Sequence, residues 1–242
     1  MCKFIRTYKE NYSVFEKHDF SLDKDLIIEM KDILKPSYIN PDSLIDRVIQ
    51  QYDYILFSRN KEGILTSFFT TNFDKIDNEI ICNLGLLAVR DAYKRSDLIF
   101  PVVFRQIELL RQKQKEVGKR ILCWCTTAST SIFKATHFFY DDCQPRQNGS
   151  YDIEGLQTFE KIVKGYKIEC NSSTPFVLRQ YAHNTQYSQI EKERISKIVL
   201  KKKNLFDNFQ INESNGDRLV IVSYPPSDEK FNYLSRKIKT ST

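Results

Sequence analysis

The hydrophobic pattern of the chain changes period several times, and each change marks an element. Residues 3–8 and 12–16 alternate polar with apolar or aromatic side chains, which predicts a short strand or hairpin. From Ser21 the period lengthens. Ser21 and Asp23 can cap a helix in which Leu26, Ile27, Met30, Ile33 and Leu34 recur at helical spacing, and Pro36 ends it. Asn40-Pro41-Asp42-Ser43 reads as the cap of a second helix, with Leu44, Ile45, Val48 and Ile49 on its apolar side. The period then falls to two. Tyr52–Ser58 is a strand, 59–63 a turn, and Ile64–Thr71 its antiparallel partner. After the polar stretch 74–78, Glu79–Val89 is apolar and long enough to be a central strand. Gly85 within it predicts a bulge or a close backbone approach.

Arg90–Asp97 is a polar turn, and Ser96 or Asp97 can cap a helix that tolerates Pro101 in its first turn. Ile99, Val103, Ile107, Leu110 and Val117 form its buried stripe, and Gly118 closes it. Arg120–Thr127 is a further strand. Ser129 or Thr130 then caps a short helix through Phe133, His137 and Tyr140. Beyond Asp142 the pattern predicts a loop at Gln144–Gly149, helices at Ile153–Val163 and Tyr187–Lys203, and strands at Pro175–Tyr181 and Arg218–Tyr224.

Composition narrows the class. The 242 residues fit one domain with a substantial core, and 17 Phe with 13 Tyr exclude a disordered chain. Seven glycines are too few for a fold built on several tight phosphate loops. The formal net charge of +6 suits an anionic cofactor if the surplus gathers in one cleft. With no recognition motif present, it weighs against nucleic acid as the partner. The basic runs at Lys192–Lys203 and Arg236–Lys239 read as solvated faces. Six cysteines show no CxxC pair and no metal-ligand spacing, so they read as free thiols, and no metal site is expected. The segment MCKFIRTYKE lacks the apolar core of a signal peptide, and no run approaches 18 apolar residues. The expectation is a soluble, cytoplasmic protein with reduced thiols.

The run Leu84-Gly85-Leu86-Leu87-Ala88-Val89, followed by Tyr93-Lys94-Arg95-Ser96-Asp97-Leu98-Ile99, resembles the acetyl-CoA-binding core of the GNAT N-acyltransferases. So do the long helix after it, the strand Ile121–Thr127, and the helix ending in Phe138-Phe139-Tyr140. The resemblance implies an α/β (α+β) GNAT-like fold, a mixed central sheet flanked by helices on both faces. It implies a single domain over 1–242, with a cofactor core at about 50–142 and a helical insertion at about 143–215.

By the same resemblance, the backbone at Leu87, Ala88 and Val89 would pair with the pantetheine arm of acetyl-CoA or another acyl-CoA. The turn Lys94, Arg95, Ser96, Asp97 and Leu98 would hold the pyrophosphate at a helix N-terminus. Tyr140 would protonate the leaving sulfur, with His137 as a substitute; another register puts Phe139 there and leaves no donor. Glu79 would be the base. The implied activity is acyl transfer to the amine of a small-molecule or protein acceptor. The turn departs from the family pattern, because its two glycine positions fall on Asp97 and Ile99. That departure keeps open a non-catalytic binding or regulatory module. A covalent route through Cys123 or Cys125 would need a paired histidine.

Overall fold

The structure is a computed structural model that describes residues 2–8, 12–94, 99–170, 172–182, 185–199 and 205–240. An N-terminal hairpin, β1 (Cys2–Tyr8) and β2 (Tyr12–His18), precedes α1 (Lys24–Leu34) and α2 (Pro41–Gln51). Both helices start as their caps dictate. The Asp23 side chain accepts from Leu26 N, the Asn40 side chain accepts from Ser43 N, and Pro41 occupies the first turn. β3 (Tyr54–Asn60), β4 (Leu65–Ile76) and β5 (Glu79–Val89) then form an antiparallel meander. Asp77 and Asn78, both at positive φ, make the two-residue turn between β4 and β5.

The long helix α3 (Ile99–Val117) leads through Gly118 (φ 67°) to β6 (Leu122–Thr127) and α4 (Thr130–Phe139). Beyond these lie β7 (Asp141–Gln144), α5 (Ile153–Gly165), β8 (Val177–Leu178), α6 (Gln189–Val199), the single-turn α7 (Leu205–Asn208), β9 (Arg218–Tyr224) and α8 (Asp228–Thr240). The sheet order is β1-β2-β3-β4-β5-β6-β9-β7, with β8 also on β9. Every pairing is antiparallel except β5 with β6.

Alternation along the strands sends helices to both faces. Gln106 of α3 donates to Cys82 Sγ and accepts from Tyr140 at the end of α4, which places those helices on the Cys82/Cys123 face. Tyr52, after α2, donates to Asn83, and Tyr166, after α5, packs on Trp124, so these helices cover the other face. The mixed sheet with helices on both sides agrees with the sequence reading. Three details differ from it. Pro175–Tyr181 is strand only at Val177–Leu178, because Phe176 and Gln180 take positive φ and bend the chain on either side. The sequence reading contains neither β7 nor α8. Val117, assigned to the buried stripe of α3, is 36% exposed.

Gly85 does what its position suggests. Phe69 pairs with Leu87 and Thr71 with Leu84, so Thr70 faces both Gly85 and Leu86 in a β-bulge. Thr70 Oγ1 accepts the Leu86 N–H at 2.9 Å, satisfying the donor that the bulge turns away from the ladder. A Cβ on residue 85 would lie 2.4 Å from Thr70 Oγ1 and 2.6 Å from the Tyr52 ring.

The segment before β9 is anchored by Asp217, which is 1% exposed. Its carboxylate accepts from Arg179 Nη1 at 2.6 Å and from the N–H groups of Gln180 and Asn212 at 3.1 Å. Burial pushes this carboxyl up, but Arg179 and the two backbone donors outweigh it and hold the group below its ordinary value.

Two outcomes follow from these contacts. Gly85→Ala would displace the Thr70 hydroxyl and lower stability by about 1–3 kcal/mol, read as a lower urea midpoint. An unchanged midpoint would show that the bulge has room to spare. Asp217→Asn turns one acceptor into a donor facing a donor, and is expected to cost about 1.5–3 kcal/mol by thermal denaturation near neutral pH. Because the folded pKa is depressed, the Asp217 contribution is fully present above about pH 4 and is lost as the pH falls through the folded value. A difference between wild type and variant that grows on acidification would contradict that sign.

Candidate functional site

β5 and β6 pair through three residues only: Ile81 with Leu122, Cys82 with Cys123, and Asn83 with Trp124. β5 runs on to Val89 and β6 to Thr127, each still bonded to its outer neighbour, β4 and β9. Past Asn83 the two parallel strands part, opening a wedge in the middle of the sheet. The bulge at Gly85 begins where they separate.

A cavity of about 130 Å³ occupies this wedge. Leu84–Leu87 line one wall and Cys125–Thr127 the other. Ile132, Thr136, Phe139 and Tyr140 contribute from α4, and Leu44, Arg47, Val48 and Gln51 from α2. The far wall is Tyr38, Thr185, Tyr187 and Arg218. It is held by a short crossing of two loops: Ile39 N donates to Gln186 O, Ser188 N to Ser37 O, and Ser188 Oγ to Pro36 O. Tyr38 and Tyr187 sit side by side in that crossing, their ring centroids 5.3 Å apart. Burial is the chief reason both phenols are pushed above their ordinary range.

Of the residues given cofactor-binding or catalytic roles from sequence, Leu87 and Tyr140 line this cavity, and so do Phe139 and Cys125, named there as alternatives. Tyr140 is 4% exposed, and its hydroxyl donates to Gln106 Oε1 at 2.5 Å. Burial, reinforced by the neighbouring thiols, raises its pKa well above the ordinary value, so the phenol keeps its proton. Ala88 and Val89 pair with Phe68 and Ser67 of β4, one step farther along the parting strand.

Glu79 is at the opposite end of β5. It forms an ion pair with Lys161 and lines a different, more polar cleft with Arg120 and Asp142. Lys94 Nζ contacts Ser37 Oγ at 2.7 Å, Asp91 at 2.9 Å and Glu191 at 3.2 Å, so two carboxylates already neutralise it. Arg95, Ser96, Asp97 and Leu98 lie outside the described residues. His137 is held by the carbonyls of Phe133 and Pro145. Burial pushes the Cys125 thiol up to about 12, which leaves it neutral at ordinary pH. Among the described residues no group of His, Cys, Asp and Glu could hold a metal ion. No helix among them is long and apolar enough to cross a membrane.

Three residues with chemical potential were not singled out from sequence. Arg47 hides inside the apolar stripe of α2, at helical spacing from Leu44 and Gln51. Its one signal is a cation on a buried face. Arg218 opens an apolar strand and is 6% exposed. Asp74 lines a neighbouring cleft with Gln51, Asn83 and Trp124. Burial raises the pKa of this carboxyl, against the Tyr166 hydroxyl that donates to it at 2.7 Å.

No protein-family model matches the sequence, and none of the curated proteins matches it. Similar solved structures include several N-acetyltransferases. One is a GCN5-related glucosamine N-acetyltransferase region of a fungal multi-domain β-N-acetylglucosaminidase, 15% identical with a TM-score of 0.41, covering 55% of this chain and 17% of that one. A GNAT family N-acetyltransferase from Escherichia coli, solved with CoA, is 10% identical with a TM-score of 0.37, covering 57% of this chain and 67% of that one. An aminoglycoside acetyltransferase from an uncultured soil metagenomic sample is 12% identical with a TM-score of 0.38, covering 54% of this chain and 86% of that one. Each of these matches spans a little over half of this chain, and the chain spans less than a fifth of the length of the first of them.

Proposed function

We propose that the protein is an acyl-CoA-dependent N-acyltransferase. The observation that carries this reading is the parting of β5 and β6. Strands that separate in mid-sheet leave backbone donors and acceptors facing an open gap, and an extended amide-bearing chain can occupy that gap as a further strand. The pantetheine arm of an acyl-CoA has that chemistry, and the edge at Leu87, Ala88 and Val89 is where it would lie. The cavity is smaller than the roughly 300–1,000 Å³ of a site that encloses a whole drug-sized ligand. It fits the reacting end of such a molecule, with the nucleotide outside.

In this reading a neutral amine attacks the thioester carbonyl, the C–S bond breaks, and the amide leaves with the acyl group. Tyr140 gives its proton to the departing sulfur and is held in place by Gln106 until then. Asp74, pushed toward its protonated form by burial, suits the removal of the amine's proton better than Glu79, whose carboxylate is paired with Lys161. Holding the two substrates together supplies much of the rate in a direct transfer.

A second reading, a non-catalytic module with the same fold, has one observation in its favour. Lys94, a candidate phosphate ligand, is already engaged by Asp91 and Glu191.

Calorimetric titration with acetyl-CoA, then with longer acyl-CoAs, separates the two. Saturable binding in the micromolar range is expected, and Arg95→Glu should weaken it about tenfold. No binding across the series would remove the enzyme reading. In an acceptor assay Tyr140→Phe should lower kcat about a hundredfold or more with acetyl-CoA affinity unchanged. Full activity in that variant would remove Tyr140 as the acid.

A further inference from the structure

The charges around the wedge cavity do not balance. Arg47 projects from α2 into it, and its Nε is buried with no hydrogen-bond partner. Among the described residues it has no ion pair either; its electrostatic neighbours are the phenols of Tyr38, Tyr52 and Tyr181. Arg218 enters from the start of β9, with 8% of its side chain exposed. Its Nη1 and Nη2 donate to the carbonyls of Asp217 and Thr185, at 2.8 and 2.9 Å.

The carboxylate paired with Arg218, Glu213, is 3.7 Å away. That carboxylate also accepts from Tyr187 N at 2.6 Å and sits 3.3 Å from Lys192 Nζ. One anion therefore serves two cations, while Arg47 has none. Arg47 is half-buried, and a guanidinium partly withdrawn from water without a counter-charge carries a cost that a carboxylate matched to its planar fork of donors would offset. Tyr38 lies within electrostatic reach of both arginines, and all three line the cavity. Arg47 enters the cavity from α2 and Arg218 from the start of β9, while Leu87 lines it from β5.

We propose that Arg47 and Arg218 bind a substrate carboxylate, so that the acceptor is a small amine bearing a carboxylate group. This deepens the acyltransferase reading and rests on it for the identity of the reaction. The same carboxylate could instead terminate a dicarboxylic acyl group on the donor, and the experiment separates these two sources.

The test is calorimetric and needs no turnover. The protein is titrated with a panel of N-acetyl-L-amino acids, the products the reaction would form, and with N-methylacetamide, the same amide without the carboxylate. At least one panel member should bind saturably while N-methylacetamide does not. Arg47→Gln should weaken that binding about tenfold or more, and Arg47→Lys should restore part of it. Arg218 is tied to two carbonyls, so Arg218→Lys is the variant that keeps the fold, and it should also weaken binding.

Acetyl-CoA affinity, measured on the same samples, should not change in the Arg47 variants. Succinyl-CoA binding about tenfold tighter than acetyl-CoA, and sensitive to Arg47→Gln, would assign the carboxylate to the donor. Binding indifferent to the carboxylate or to Arg47 would overturn the proposal, as would a preference for inorganic phosphate over every carboxylate. If carboxylates bind and acetyl-CoA does not, the acyltransferase reading falls and the carboxylate site stands. If acetyl-CoA binds and no carboxylate does, only the present inference falls.

Discussion

The bulge at Gly85, sealed by the Thr70 hydroxyl and backed by the Tyr52 ring, is the constraint on which the rest of the molecule turns. An extra residue in one strand bends it and increases its twist. Here the bend comes two residues after the last pair that β5 makes with β6, so β5 leaves its parallel neighbour while staying bonded to β4. Everything that lends the protein a chemical site depends on that departure. The side chains of α2 and α4 reach the same cavity because a gap exists between the strands they flank.

The two faces of the sheet are unequal partners in this arrangement. On one face Cys82, Cys123, Gln106 and Tyr140 form a nearly dry cluster in which burial keeps the Tyr140 phenol and the Cys123 thiol protonated. On the other, Asn83, Trp124, Tyr166 and Asp74 border an open, more polar cleft. In the reaction proposed above, Tyr140 would give its proton on the dry face, and Asp74 would take one from the neighbouring cleft on the other. That division suits a step in which a leaving group gains a proton and a nucleophile loses one.

Much of the fold was legible in the sequence because it rests on local signals. The caps at Asp23 and Asn40 and the turn glycines at 63 and 118 mark their positions without reference to the rest of the chain. So does the apolar run of β5 with its interrupting glycine. The site was less legible. That β5 and β6 part is a property of pairing between residues some forty positions apart, which no single run of residues encodes. Arg47 looks like one more helix residue until Tyr38, Tyr52 and Tyr181 are seen around it. Lys94 reads as a phosphate ligand only while Glu191, nearly a hundred residues later, is out of view. β7 was missed because a four-residue strand carries a weak periodic signal, and α8 because its basic run Arg236–Lys239 read as solvated, although Phe231, Leu234 and Ile238 recur at helical spacing.

The place of β9 gives the chain an order of assembly. β9 lies between β6 and β7, yet it is synthesised after both and after the whole stretch that carries α5, α6 and α7. As the chain emerges, one edge of β6 stays unpaired through the next ninety or so residues, in the middle of what will become a continuous sheet. Arg218, which begins β9, arrives with the strand that closes this edge, after Tyr38, Thr185 and Tyr187, the other residues of the far wall. The far wall of the wedge is therefore completed only when β9 is in place. A ribosome-bound chain that has reached only α6 carries an open strand edge of the kind that chaperones shield.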